Sequence, residues 1–343
     1  MMIRVLVVDD SALMRRIISR ILGKDHFIQV IGTAENGEEA LEKIESLKPD
    51  VVTMDVEMPR MNGLEALKAI MARAPLPVIM LSAATKEGAD TTLDALNMGA
   101  CDFVPKDLSN GALNISRIEE ELVRKVKAVA KRRIGSFFLR HGNGKEPLAY
   151  AAGSRAFRAV VAMGASTGGP PVLQHILTRL PKDFPVPITI AQHMPKAFTQ
   201  SFAERLNAMT QIEVKEAENN ENLRPGVALL APGDMHMSVR RKGHDVIVEL
   251  VENQNYVYKP SVDLLLSGIA SIYESKAIAV ILTGMGTDGL SGAREIRAKN
   301  GYVIAQDEET SAVYGMPKAV VEAQLTNCTA PAQKIAEEIM RAL

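Results

Sequence analysis

One serine stands inside a run of small residues, Gly164-Ala-Ser166-Thr-Gly168-Gly169, directly after the apolar stretch Ala159 to Met163. The apolar stretch reads as a buried strand, and the glycine spacing around Ser166 fits a nucleophile elbow, a tight strand-to-helix turn that exposes a hydroxyl. Glycines on both sides let the backbone bend sharply and let a substrate come close. A helix starting at that turn would gather its first N–H groups around the serine oxygen and receive negative charge. That arrangement is half of an acyl-transfer site. A glycine-rich turn of any doubly wound domain has the same composition, so the other half must be sought elsewhere.

Two further strand ends offer it. The run Ile188-Thr-Ile-Ala-Gln-His193 brings a histidine to the end of a strand. The run Ala277 to Leu282 leads into Thr283-Gly-Met-Gly-Thr-Asp288-Gly289, which delivers an acid in a glycine-rich loop. Strand ends on one edge of a parallel sheet share a crevice, and Ser166, His193 and Asp288 meeting there would form a hydrolytic triad. His193 would take the serine proton, and Asp288 would fix the imidazole tautomer and stabilise its charged form. Glycines near Met285 and at the serine turn would present N–H groups to an oxyanion, each such donor being worth ~10² to 10³ in rate. Spacing alone leaves rivals open. His175 and His236 compete for the base, and Asp234 and Asp263 compete for the acid. The chain order Ser, His, Asp also departs from the Ser, acid, His order of α/β-hydrolases, so the elbow does not imply that fold.

A second group of polar residues lies near the N-terminus. Asp9 and Asp10 close the first apolar run and Asp55 closes the third. In a doubly wound sheet those ends open into one crevice. Gathered acids repel one another unless a cation or proton sits among them, and an oxygen-lined pocket suits Mg²⁺. A carboxylate beside Mg²⁺ attacks a phosphoryl group. Lys106, after the fifth run, would pair with the transferred phosphate, and Ser82, after the fourth, would hydrogen-bond to it. Taken singly, Asp9 and Asp10 could merely cap a helix, and Lys106 could be an ordinary surface lysine.

The elements that must position these residues alternate. Ile3 to Val8, Gln29 to Gly32, Asp50 to Met54, Pro77 to Leu81 and Cys101 to Val104 read as five strands with amphipathic segments between them. The pattern predicts a parallel sheet covered by helices on both faces. Its last helix is expected from near Ser116, which has capping-box spacing to Glu119. A second alternation follows, with strands at Ala159 to Met163, Val186 to Ala191, Gly226 to Leu230, Asp245 to Val251, Ala277 to Leu282 and Tyr302 to Ala305. Helices are expected over Pro171 to Leu180 and Ser261 to Tyr273, and an antiparallel excursion near Met235 to Val251. The fold class is thus α/β twice over: a flavodoxin-like five-stranded parallel sheet, then a doubly wound, mostly parallel unit.

Composition bounds the function. A length of 343 residues suits two domains, and 47% apolar with 24% charged residues is ordinary globular material. A formal net charge of −1 gives no global attraction to nucleic acid or acidic membrane. Cys101 and Cys328 lack metal-ligand spacing and read as reduced core thiols. With no signal peptide and no apolar run long enough to span a bilayer, a soluble cytoplasmic protein is expected. Between Arg124 and Arg158 the only acid is Glu146 among ten Lys or Arg, and Arg140 to Pro147 holds turn residues without a period. Phe137 and Phe138 are the only aromatics near its basic centre, so a tether is favoured over a nucleic-acid patch.

Residues 3 to about 125 resemble a response-regulator receiver domain through Val7-Val-Asp-Asp-Ser11, Met54-Asp-Val-Glu-Met-Pro-Arg-Met-Asn-Gly63, Leu81-Ser82 and Phe103-Val-Pro-Lys106. The resemblance implies that Asp55 accepts phosphate from a histidine kinase, that Asp9 and Asp10 join it in holding Mg²⁺, and that Phe103 and Ser82 form the switch pair. In many receivers a proline follows the lysine, whereas here Pro105 precedes Lys106 and Asp107 follows it.

Nearly the whole chain resembles the chemotaxis-type protein-glutamate methylesterases, the CheB family. The motifs are Gly164-Ala-Ser-Thr-Gly-Gly169, Gln192-His-Met-Pro195, Ala231-Pro-Gly-Asp-Met-His236, Pro260-Ser-Val-Asp263, Thr283-Gly-Met-Gly-Thr-Asp-Gly289 and Gly315-Met-Pro317. The resemblance makes Ser166 the nucleophile, His193 the base, Asp288 the orienting acid, Met285 an oxyanion-hole amide and Thr167 a lining residue. It implies a receiver over residues 1–125, a basic linker over 126–154 and a catalytic domain over 155–343. It further implies hydrolysis of glutamate methyl esters on chemoreceptors and deamidation of glutamines, with no cofactor in the catalytic domain and membrane association only through receptors. A receiver docked over the open catalytic edge would block it until Asp55 is phosphorylated. A phosphate-cradling output module is the main rival, but the chain has neither G-x-G-x-x-G at the first turn nor a P-loop.

Overall fold

The computed structural model describes residues 2–83, 85–106, 112–130, 148, 158–252 and 256–343. The chain forms two compact units, Met1–His141 and Gly142–Leu343. In the first, strands β1 (Ile3–Val8), β2 (Ile28–Ala34), β3 (Val51–Asp55), β4 (Val78–Ser82) and β5 (Asp102–Pro105) alternate with helices α1 (Ala12–Gly23), α2 (Gly37–Leu47), α3 (Gly63–Arg73), α4 (Lys86–Met98) and α5 (Ala112–Val129). The strands lie in the order β2-β1-β3-β4-β5, all parallel. Strands β3 and β4 are buried at every residue, which is why they read as continuous apolar runs rather than as alternating ones.

Helix starts follow the local chemistry. The Ser11 side chain caps α1, and Asn62 with Glu65 forms a reciprocal capping box on α3. The last helix begins at Ala112 rather than near Ser116. A Ser-x-x-Glu spacing is also the i,i+3 spacing of a helix interior, so the pattern did not discriminate between a start and a middle. Glu119 instead pairs with Lys24 at 2.6 Å. Most of the basic stretch read as a linker, including Phe137, Phe138 and Arg140 to Pro147, lies outside the described residues, as does Asp107.

The second unit holds a seven-stranded, wholly parallel sheet in the order β14-β13-β12-β6-β7-β9-β8. Its strands are β6 (Val160–Ala165), β7 (Ile188–Gln192), β8 (Glu213–Glu216), β9 (Val227–Leu230), β12 (Ala277–Ile281), β13 (Tyr302–Gln306) and β14 (Cys328–Ala330). The antiparallel excursion is a separate ribbon of β10 (His236–Lys242) and β11 (Asp245–Val251). Its Met237, Val239 and Val248 join Leu265, Leu266 and Ile269 of the helix Val262–Tyr273 in one buried cluster. Strands β8 and β14, absent from the sequence reading, are the short edges of the sheet, where pairing rather than apolar content defines a strand.

Both sheets have a point where the order of strand addition reverses. In the first it falls between β1 and β3. In the second the first strand, β6, is central; β7, β9 and β8 are added on one side, and β12, β13 and β14 on the other. Loops leaving neighbouring strands at such a point diverge and open a crevice at the carboxyl edge. The polar strand ends singled out above lie at these two crevices. No helix among the described residues is long and apolar enough to cross a membrane.

Candidate active site

Ser166 follows β6 and precedes the helix Gly169–Leu177, as the elbow spacing predicts. The turn is clamped from both neighbouring strands. On one side the Ser166 amide donates to Thr283 O (3.0 Å), and Thr283 Oγ1 donates to Thr167 O (2.9 Å). On the other, Gln192 Nε2 donates to Ser166 O (3.0 Å). Thr167 is buried at this turn. The Ser166 amide is therefore occupied and does not point into the crevice as a free donor. The loop after β12 comes so close that a Cβ on Gly284 would lie 2.7 Å from Ser166 Cβ. Amides of Gly315 and Met316 in turn donate to Gly284 O (3.0 and 2.9 Å), which explains the Gly-Met-Pro motif as a support for this loop. Among the described residues the next amide, that of Met285, enters no hydrogen bond and remains available to a ligand.

His193 stands on the adjacent strand end. The β6–β7 register pairs Ala165 with Gln192, and the His193 amide donates to Ala165 O (3.0 Å), so Ser166 and His193 leave neighbouring parallel strands at the same edge. The imidazole Nε2 lies 2.8 Å from Asp288 Oδ2. Its Nδ1 is buried and has no partner among the described residues. An unpaired buried ring nitrogen is costly unless a ligand or reacting hydroxyl uses it.

Asp288 is held by a helix N-terminus. Its Oδ2 accepts from the Val262 amide (2.8 Å), and its Oδ1 accepts from the amides of Asp263 (2.9 Å) and Gly289 (3.1 Å) and from Ser261 Oγ (3.1 Å). Ser261 is also the N-cap of the helix Val262–Tyr273, accepting from the Leu264 amide. Burial works against the charge on Asp288. The hydrogen bond and charge of His193 and the amides of Val262 and Asp263 outweigh that effect and hold the carboxyl below its usual range. An ionised carboxylate accepts from Nε2–H, and in a neutral imidazole so tied the lone pair lies on Nδ1.

The rivals are engaged elsewhere. His236 is fully buried, and its Nδ1 accepts from the Ser261 amide (3.1 Å). Asp263 Oδ1 accepts from the amides of Gly289 (2.9 Å) and Gly292 (2.8 Å), capping the helix Leu290–Ala298. Asp234 pairs with exposed Lys196 (2.7 Å), and His175 lies within the helix Gly169–Leu177. Both His236 and Asp263 support the seat of Asp288 rather than replacing it.

In the first unit, Asp9, Asp10 and Asp55 each place a carboxylate oxygen within 4.8 Å of the others. Lys106 Nζ reaches Asp55 Oδ1 (2.7 Å) and Asp9 Oδ2 (3.3 Å). Pro105 ends β5 in register with Ser82, and the Lys106 amide donates to Ser82 O (2.7 Å), so the proline before the lysine leaves its reach intact. Burial pushes the Asp55 carboxyl up and Asp9 adds to the rise, while Lys106 only partly opposes it. Crowded, buried acids of this kind fit a hard divalent cation, with Asp10 at the exposed side. Ser82 Oγ donates to Gly88 O (3.1 Å) and accepts from Thr92 Oγ1 (2.6 Å), so it faces α4. Phe103 is buried, with Lys125 Nζ 5.3 Å from its ring centre.

Comparison with known proteins agrees with this geometry. Residues 161–339 match the CheB methylesterase family and residues 5–116 the response regulator receiver domain. The chain belongs to the CheB methylesterase family. A protein-glutamate methylesterase/protein-glutamine glutaminase 1 of Oleidesulfovibrio alaskensis is 46% identical, with 100% of each chain covered. One from Archaeoglobus fulgidus is 46% identical over 99% of this chain and 98% of its own. The crystal structure of the Thermotoga maritima CheB methylesterase catalytic domain is 44% identical and covers 54% of this chain and 99% of that one, with a TM-score of 0.53.

For this CheB-family chain, the sequence pointed to the polar residues at the strand ends and overlooked several that hold them in place. Gln192 and Ser261 were visible only as letters of motifs. Ser261 had a usable signal, an N-cap residue just before an apolar helical run. Tyr258 had none. Its ring stacks on His193 with centroids 4.5 Å apart and planes 10° apart, a contact between segments that no periodicity connects.

Proposed function

We propose that this chain hydrolyses glutamate methyl esters on chemoreceptors, and deamidates glutamines there, under control of phosphorylation at Asp55. The observation that carries the reading is the imidazole of His193, tied through Nε2 to Asp288 and with its buried Nδ1 unpaired among the described residues, on the strand edge that also presents Ser166. In this mechanism Nδ1 takes the Ser166 proton as Oγ attacks the ester carbonyl. The resulting oxyanion accepts from the Met285 amide beside Thr167. Collapse breaks the bond to the methoxy oxygen, which leaves as methanol with the proton from Nδ1. Water then repeats the cycle on the acyl-enzyme and frees the carboxylate, and for glutamine the leaving group is ammonia. Nδ1 takes the place that Nε2 has in the chymotrypsin template, because here Nε2 is the nitrogen on the acid.

In the receiver, Asp55 is the proposed acceptor of a phosphoryl group from the histidine kinase of the chemotaxis system. Lys106 would pair with the phosphoryl oxygens, and Ser82, turning from α4, would hydrogen-bond to them, with Phe103 as its switch partner. Asp9, Asp10 and Asp55 would hold Mg²⁺, which supplies charge neutralisation at the transferring phosphoryl group. The proposed division is a receiver over 1–125, a tether over 126–154 and a catalytic domain over 155–343. Phosphorylation of Asp55 is proposed to raise the activity of the catalytic domain.

Release of methanol from methylated receptor membranes by the purified chain tests the reading. Ser166→Ala is expected to lose roughly 10⁶ in kcat by analogy with serine proteases. Substantial methanol release by that variant would remove Ser166 from the chemistry. Equal rates with and without a small-molecule phosphodonor would end the regulatory part.

A further inference from the structure

Tyr258 belongs to none of the roles above, yet it touches two of them. Its ring lies nearly parallel to the imidazole of His193, 4.5 Å between centroids, and covers one face of it. At its other end the hydroxyl packs on Gly286, where a Cβ would lie 2.9 Å from Oη and where φ is +82°. Gly286 directly follows Met285, so one half-buried ring spans the base and the loop that carries the oxyanion amide.

The chemistry of the stack depends on the state of the imidazole. A neutral ring gains ordinary aromatic contact from it. When Nδ1 takes the serine proton the ring becomes a cation against a tyrosine π face, and that attraction is stronger. An interaction that strengthens as the transition state forms raises kcat and leaves KM alone. The stack also restricts rotation of the imidazole about its bond to the Asp288 carboxylate, which keeps Nδ1 aimed along the strand edge.

We propose that Tyr258 is a positioning residue of the ester hydrolysis, acting through His193 by stacking on the imidazolium. This rests on the assignment of His193 as base. The expected contribution is about 3- to 30-fold in kcat.

The test uses the full chain with methylated receptor membranes as substrate and a serine-directed phosphonate as a second probe. Tyr258→Phe keeps the ring and should retain kcat within about 3-fold. Tyr258→Leu and Tyr258→Met fill similar space without a π face. Both should lose about 10-fold in kcat and about the same factor in the phosphonate reaction, with KM unchanged within about 2-fold. Two such variants guard against one that unfolds, which thermal unfolding would reveal. Retention of kcat by the leucine or methionine variant, a loss confined to KM, or an equal loss in the phenylalanine variant would each overturn the proposal. Ser166→Ala run alongside separates the cases: activity surviving there defeats the triad itself, whereas activity lost there and kept in the Tyr258 variants defeats only this inference.

Discussion

Replacing Asp288 by asparagine probes the site at its most constrained atom pair. The carboxylate accepts five hydrogen bonds, three at Oδ1 from Ser261, Asp263 and Gly289, and two at Oδ2 from Val262 and His193. An asparagine has one acceptor oxygen, and the less costly orientation keeps it where three donors converge. The NH₂ group then faces the Val262 amide and His193 Nε2. The amide is left unsatisfied, at about 1–3 kcal/mol, or roughly 2 to 12 °C in the melting temperature of a unit this size. The more informative effect is on the imidazole. Donation by the NH₂ group forces Nε2 to accept, moves the ring proton to Nδ1, and removes the lone pair proposed to receive the Ser166 proton. A wrong-tautomer substitution of this kind costs about 10⁴ in kcat in serine proteases, equivalent to about 5.4 kcal/mol of barrier. Methanol release measured beside thermal unfolding separates the two consequences. A folded Asp288→Asn variant within about 10-fold of the parent in kcat would refute the argument, because the imidazole would then need no partner at Nε2.

Three further outcomes follow from the same geometry. His236→Ala removes the acceptor of the Ser261 amide and leaves a cavity, so it should cost about 2–4 kcal/mol in stability while keeping far more activity than His193→Ala; the reverse order of activities would exchange the base. Because Asp288 is held low in the fold, its contribution to stability is complete above its unfolded value of about 3.9 and is lost as pH falls through the lower folded value. The gap in melting temperature between the parent and Asp288→Asn should therefore narrow below about pH 4, and a constant gap from pH 7 to pH 3 would contradict it. Mg²⁺ at about 100 times its Kd should stabilise the receiver by ~2.7 kcal/mol, and Asp10→Ala, at an exposed position, should reduce that gain without unfolding the unit; no response of the parent to Mg²⁺ in thermal unfolding would reject the site.

Much of this molecule was legible in its letters. Apolar runs located the buried strands, because patterning acts within a few residues of chain, whereas the one capping box read from the letters, Ser116 with Glu119, fell inside its helix. Ser166, His193, Asp288, Asp9, Asp55 and Lys106 were recognisable as polar residues ending strands. What the letters left open was which of them meet. From spacing, His236 and Asp263 were as plausible as His193 and Asp288; the sheet order puts β7 and β12 on either side of β6, and there it is His193 and Asp288 that meet. The nitrogen that faces the acid, the stack of Tyr258 and the edge strands β8 and β14 were likewise settled only in three dimensions. Neighbours within a sheet are chosen by the burial of whole faces across more than a hundred residues, and the identity of any single polar residue contributes little to that choice. Sequence therefore determined the chemical groups and their local stage, and tertiary packing decided their partners.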